Sequence, residues 1–127
     1  MRLLLDTHIF LWWATDHRNL SKAMRSRITQ ATEVYVSSAS IWELSIKIKL
    51  KKLNADIAQL AEEIANSGFS ELPITGRHAA FIYQLPLIHR DPFDRIMIAQ
   101  AICEPLTLIT CDTILQKYSE LVELFPL

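Results

Sequence analysis

"LLLDTHIFLWWA", residues 3–14, joins three leucines to an aspartate and then to an apolar run too long for a loop. Leu3 to Leu5 read as a short buried strand that ends at Asp6, and "THIFLWWA" as the helix that follows it. The rest of the chain repeats this alternation. Ser21 can cap a helix carrying Met24, Ile28 and Ala31 at helical spacing, and "EVYVS" (33–37) is a β-branched and aromatic strand. "SASIWELSIKIKLKK" (38–52) reads as a helix with Ile41, Leu44 and Ile48 on one stripe. A further helix runs from about Asp56 to Ser67, with Ile57, Leu60, Ala61 and Ile64 at core spacing and Gly68 as its stop. "FSELPI" (69–74) offers a strand, and Thr75 caps a helix through about Gln84. The helix opened by Asp91 ends near Glu104 and Pro105 and leads to the strand "LTLIT" (106–110). A short helix after Asp112 and a last strand "VELF" (122–125) complete the order.

Such alternation implies right-handed crossovers and a mostly parallel sheet covered by helices on both faces, the α/β class. The 127 residues, 50% hydrophobic and 21% charged, suit one globular domain spanning 1–127, without repeats or linkers. No apolar stretch approaches the ~20 residues that span a membrane. Asp6 and His8 interrupt the apolar N-terminus, which therefore does not read as a signal peptide. Cys103 and Cys111 lack CxxC spacing and read as reduced residues of a cytoplasmic protein. With only Gly68 and Gly76, the chain has no glycine-rich phosphate loop. A net charge of −1 means that a nucleic-acid partner must be held by local basic patches.

In a parallel sheet of this kind every strand ends, and every following helix begins, at one carboxyl edge. Asp6 ends the first strand, Asp112 follows "LTLIT", Glu43 lies early in the helix after "EVYVS", and Asp94 lies in the first turn of the helix that leads to "LTLIT". Four carboxylates from distant parts of the chain should converge there. In "HRDPFDRIMIAQA" (89–101), Asp91 reads as the helix N-cap with Pro92 at the first helical position, whereas Asp94 is left over for chemistry.

Each acid taken singly has an ordinary structural role. Asp6 can be a turn residue or N-cap, Glu43 can form a capping box with Ser40, and Asp112 can cap the next helix. Packed together, however, unneutralised carboxylates repel and raise one another's pKa, so a stable cluster calls for a cation. All-oxygen ligation indicates Mg²⁺ or Mn²⁺, and His8, His17, His78 and His89 show no zinc spacing. Of the four, His8 beside Asp6 is the candidate for a supporting or substrate contact. Acid-bound Mg²⁺ suits hydrolysis of a phosphodiester, and neither a G-x-S-x-G elbow nor a Cys–His pair offers a covalent nucleophile. Lys47, one turn after Glu43, and Arg90 and Arg95 are candidate phosphate contacts. Phe10, Trp12 and Trp13 lie on a helix with no clean polar face. Such a helix is either deeply buried or covered by a partner, an interface being the favoured reading in so small a domain.

The four acids, their order and their surroundings resemble the PIN-domain ribonucleases, specifically the VapC-type toxins of bacterial toxin–antitoxin pairs. "LLLDTH", "SSASIWELSIK", "RDPFDRIMIAQA" and "LITCD" are similar to the family's four acidic motifs, and the resemblance covers nearly the whole chain. It implies an α/β/α sandwich in which Asp6, Glu43, Asp94 and Asp112 form the catalytic and metal-binding set, with Asp6 and Asp94 as the most direct ligands. It further implies supporting roles for Thr7, Thr110 and Asp91, a homodimer, an RNA substrate and a small antitoxin that blocks the site. His8 stands where many relatives carry Asn or Ser, and no further acid closely follows Asp112. Two rival readings are a non-catalytic RNA-binding module of the same fold and a receiver-like phosphoacceptor domain. The second lacks a convincing lysine in "LITCDTILQKY".

Overall fold

The computed structural model describes residues 1–125. Its five strands are β1 (Arg2–Leu5), β2 (Glu33–Ser37), β3 (Ser70–Leu72), β4 (Thr107–Thr110) and β5 (Val122–Leu124). They form one sheet in the order β3-β2-β1-β4-β5, and every pairing is parallel. The helices are α1 (Thr7–Ala14), α2 (Lys22–Thr29), α3 (Ser38–Lys49), α4 (Ile57–Asn66), α5 (Gly76–Phe81) and α6 (Pro92–Cys103). Short 3₁₀ turns follow at Ile82–Gln84 and Thr113–Lys117, so the helix expected after Asp112 is a tighter turn.

Side-chain alternation divides the core into two layers. Leu3 and Leu5 of β1, with Val34, Val36 and Ile109, pack against Ile9, Phe10, Met24, Ile28, Leu44, Leu60 and Ile64 from the first four helices. Leu4 and Leu108 face the other way, onto Met97, Ile98 and Ala101 of α6. The result is a parallel sheet with helices on both faces. No helix of the described residues is long and apolar enough to cross a membrane.

Polar side chains start the helices where an extended residue meets the first turn. Asp6, Ser21, Ser37, Asp56, Thr75 and Asp91 each accept backbone N–H bonds as N-caps. The cap of α3 is Ser37, so Glu43 lies in the second turn and takes no part in a capping box with Ser40. This helix stops at Lys49, three residues before the end of the stretch read as helical, and Lys51 takes a left-handed φ of 60°. Gly68 occupies the left-handed region beyond α4 (φ 78°), where the missing Cβ removes the steric cost.

The aromatic helix α1 is covered largely from within. Phe10 is fully buried, and the Trp13 indole donates to Ser67 Oγ, packs on Phe69 and lies under the Arg25 guanidinium. The large exposed apolar side chains of a helix are instead those of α3: Trp42 at 59%, Leu50 just beyond the helix at 59%, and Ile46 at 39%.

The strand order determines where a site can form. The chain winds outward from β1 through β2 to β3, then returns to place β4 on the other side of β1. Loops at the carboxyl ends of β1 and β4 therefore leave in opposite directions and open a crevice between them.

Candidate active site

Asp6 stands at this crevice, one residue beyond β1. Its Oδ1 accepts the Ile9 N–H at 2.9 Å, capping α1, while Oδ2 accepts the Thr110 hydroxyl. The residue is 5% exposed. Burial raises its carboxyl pKa most, the two hydrogen bonds pull the other way, and the charge of Glu43 adds to the rise. Thr110, fully buried at the end of β4, also accepts the Asp112 N–H at 3.0 Å, so one hydroxyl joins the first and last acids of the chain. Asp112 caps the following turn through a bond from the Ile114 N–H at 2.9 Å.

Glu43 reaches the crevice from α3. Its Oε2 pairs with Lys47 Nζ at 3.2 Å, one helical turn on. Oε1 is buried without a hydrogen-bond partner. Thr7 donates to Ser40 on the same helix at 3.0 Å, tying α1 to α3 beneath the acids.

Asp91 caps α6, accepting the Phe93 N–H at 2.9 Å and the Asp94 N–H at 3.5 Å. Asp94 is pushed up to about 7, first by burial, then by the negative charges of Asp91, Asp6 and Glu43, with His89 opposing. Its Oδ2 lies 3.0 Å from His89 Nε2, which also lies 3.5 Å from Asp112 Oδ2. Among the described residues, His89, Asp94 and Asp112 offer ligand atoms within 4.8 Å of one another.

This donor set fits a hard divalent cation. A buried carboxylate oxygen without a donor, on Glu43, and an aspartate held partly protonated near neutrality by burial and by other carboxylates are both relieved by a positive charge among them. A mixed recess of about 470 Å³, lined by Glu43, Lys47, Lys52, Arg90 and Asp91, adjoins the acids. An apolar recess of about 410 Å³ opens between Trp42, Ile74, Ile82 and Phe93.

The chain matches the PIN domain family over residues 3–121. It belongs to the PIN-domain family. Ribonuclease VapC22 of Mycobacterium tuberculosis is 32% identical over 123 residues, covering 91% of each chain, which places this PIN domain with the VapC type. The fold is shared with VapBC2 from Rickettsia felis, solved bound to a DNA fragment from its promoter. That match has a TM-score of 0.72, 16% identity, and covers 99% of this chain and 98% of the other. A toxin–antitoxin complex from Klebsiella pneumoniae matches with a TM-score of 0.70 and 20% identity over 98% and 99% of the two chains.

Three features of this PIN domain depart from the sequence reading. Arg95, expected as a phosphate contact, is 8% exposed and gives its N–H groups to the carbonyls of Pro86, His89 and Ile82 and to the Tyr118 hydroxyl. It lies four residues after Asp91 on α6 and faces inward, where backbone acceptors take its charge. His8 is exposed and lies against Trp12, with ring centroids 6.0 Å apart. It acts on Asp6 through its charge, while the histidine within bonding distance of the acids is His89. Its only sequence signal was its place two residues before the capping Asp91.

Proposed function

We propose that this chain, working as one domain over residues 1–127, is a metal-dependent endoribonuclease and the toxin of a toxin–antitoxin pair. The observation that carries this reading is the crowding of carboxylates at the β1–β4 crevice, with Asp94 pushed up to about 7 by burial and then by its acidic neighbours. Asp6, Glu43, Asp94 and Asp112 would hold Mg²⁺ or Mn²⁺. When bound, such an ion lowers the pKa of a coordinated water and neutralises charge on the phosphoryl oxygens. The chain's own groups do the rest. Thr110 and the Ile9 N–H fix both oxygens of Asp6, and Thr7 fixes the packing of α1 on α3. Asp91 sets the start of α6 and hence the place of Asp94. Lys47 and Arg90 line the recess beside the acids and are suited to phosphate oxygens flanking the cut.

The relative Ribonuclease VapC22 carries the activity in its name, and the structural neighbours were solved as complexes with antitoxin or DNA. We infer as partners of this chain an RNA substrate, a small antitoxin and a second copy of itself, in the cytoplasm. The exposed Trp42, Ile46 and Leu50 supply an apolar face for such protein partners.

The test is cleavage of a structured RNA pool by antitoxin-free protein with Mg²⁺, Mn²⁺ or EDTA, comparing wild type with Asp94→Asn. Metal-dependent cutting that disappears in the variant is the expected result. Cutting that persists in EDTA, or in Asp94→Asn, would overturn the assignment.

A further inference from the structure

His89 is gripped by its backbone more firmly than a loop residue needs to be. Its N–H donates to the Tyr118 hydroxyl at 2.6 Å, and its carbonyl accepts from Tyr118 Oη at 3.2 Å and from Arg95 at 3.4 Å. Arg95 in turn donates to Tyr118 at 3.2 Å and to the Pro86 carbonyl at 3.0 Å. A buried guanidinium and a tyrosine thus fix a single loop residue whose ring projects between Asp94 and Asp112.

The ring's other nitrogen decides what it can do there. Nδ1 faces the Asp91 N–H at 3.4 Å, a donor, so Nδ1 acts as acceptor and the ring N–H is on Nε2. A metal-ligating imidazole needs the reverse: a bare nitrogen toward the ion and an N–H on the far side donating to an acceptor. Although its spacing to the two aspartates would suit a ligand, His89 is arranged as a hydrogen-bond donor.

We propose that His89 is a substrate-contacting catalytic residue, donating its Nε2–H to a non-bridging oxygen of the scissile phosphate, with Arg95 and Tyr118 as its positioning residues. The proposal rests on the metal-dependent nuclease reading. Asp94 and Asp112 would hold the cation through their oxygens, which would release the Nε2–H now directed at Asp94 to a phosphate oxygen of the substrate. Such a donor, fixed in place before the reaction, stabilises charge that develops on the phosphoryl group. It involves no proton transfer and no covalent step.

The experiment compares wild type, His89→Ala and His89→Gln in three measurements: Mn²⁺ affinity, nitrogen coupling in the Mn²⁺ electron-spin spectrum, and the rate of cleavage of bulk tRNA. Expected are equal Mn²⁺ affinity in all three proteins, no histidine nitrogen coupling, a kcat lower by on the order of 100-fold in His89→Ala, and partial recovery in His89→Gln, whose amide can donate. Unchanged cleavage in His89→Ala overturns the proposal. So does nitrogen coupling in wild type or a tenfold loss of Mn²⁺ affinity, either of which would make His89 a ligand. These outcomes leave the nuclease reading standing. Wild-type protein that neither binds Mn²⁺ nor cuts overturns both.

Discussion

Thr110 donates its hydroxyl hydrogen to Asp6 Oδ2 across 104 positions of sequence, and its oxygen accepts the Asp112 N–H. This bond exists because β4 lies beside β1 in parallel register, with Leu5 opposite Ile109, so the residue just past β1 meets the last residue of β4. It turns one oxygen of a buried aspartate and fixes the loop that carries the last acid.

Thr110→Val removes that donor while keeping the shape. The Asp6 carboxylate then loses a bond that favours its charged form, and divalent-cation affinity is expected to fall about tenfold, as for other residues that orient a ligand. Mn²⁺ titration of the folded variant checks this; an unchanged affinity would remove Thr110 from its supporting role.

Asp94 makes stability depend on pH in a defined direction. Its pKa rises from an ordinary 3.8 to about 7 in the fold, so between those values the folded chain keeps a proton that the unfolded chain releases. Stability is therefore fullest below about pH 4 with respect to this group and declines as pH rises toward 7. Asp94→Asn abolishes the decline. In chelator at pH 8 the variant should melt several degrees above wild type, and Mg²⁺ or Mn²⁺ should raise the wild-type Tm more at pH 8 than at pH 5. Thermal unfolding at both pH values decides it.

Asp91 acts through the backbone. Asp91→Asn keeps the cap and is expected to alter cleavage and stability only mildly, while Asp91→Ala should cost about 1 kcal/mol. Equal loss of cleavage in Asp91→Asn and Asp94→Asn would show that the two acids act as one unit.

Two arginines five residues apart should separate cleanly. Arg95→Ala takes one donor from each of the carbonyls of Ile82, Pro86 and His89, breaks the bond to Tyr118, and is expected to destabilise by about 1–3 kcal/mol. Arg90, exposed beside the acids, should leave the Tm unchanged on replacement by Ala and lower the salt dependence of RNA binding by about 0.7 in the log–log slope. Denaturant unfolding and binding at several salt concentrations distinguish the two.

Much of the molecule was legible from local pattern. Leucines 3–5 followed by Asp6, "EVYVS" and "LTLIT" are short apolar or β-branched runs, and their alternation with capped helices requires a parallel sheet whose strand ends share one edge. Asp91 was readable as a cap because Pro92 follows it, and Asp56 with Gly68 bounded α4 to within a residue. These features depend on residues within a turn or two of one another, which a one-dimensional pattern contains.

The tertiary structure alone decided the rest. An arginine's head can lie in solvent or fold inward, and only the approach of the Pro86–His89 segment and Tyr118 supplied Arg95 with acceptors that made burial possible. His89 resembled three other scattered histidines until the same contacts aimed its ring at Asp94 and Asp112. Trp13 of α1 found cover at Ser67 and Phe69, while Trp42 of α3 stayed exposed. Sequence by itself determined the element order, the sheet class and which acids share an edge, because strand period, helix period and capping are local. Which histidine enters the acidic crevice, which arginine is spent on the backbone and which aromatic face stays open depended on contacts between segments far apart in the chain, and packing alone sets those.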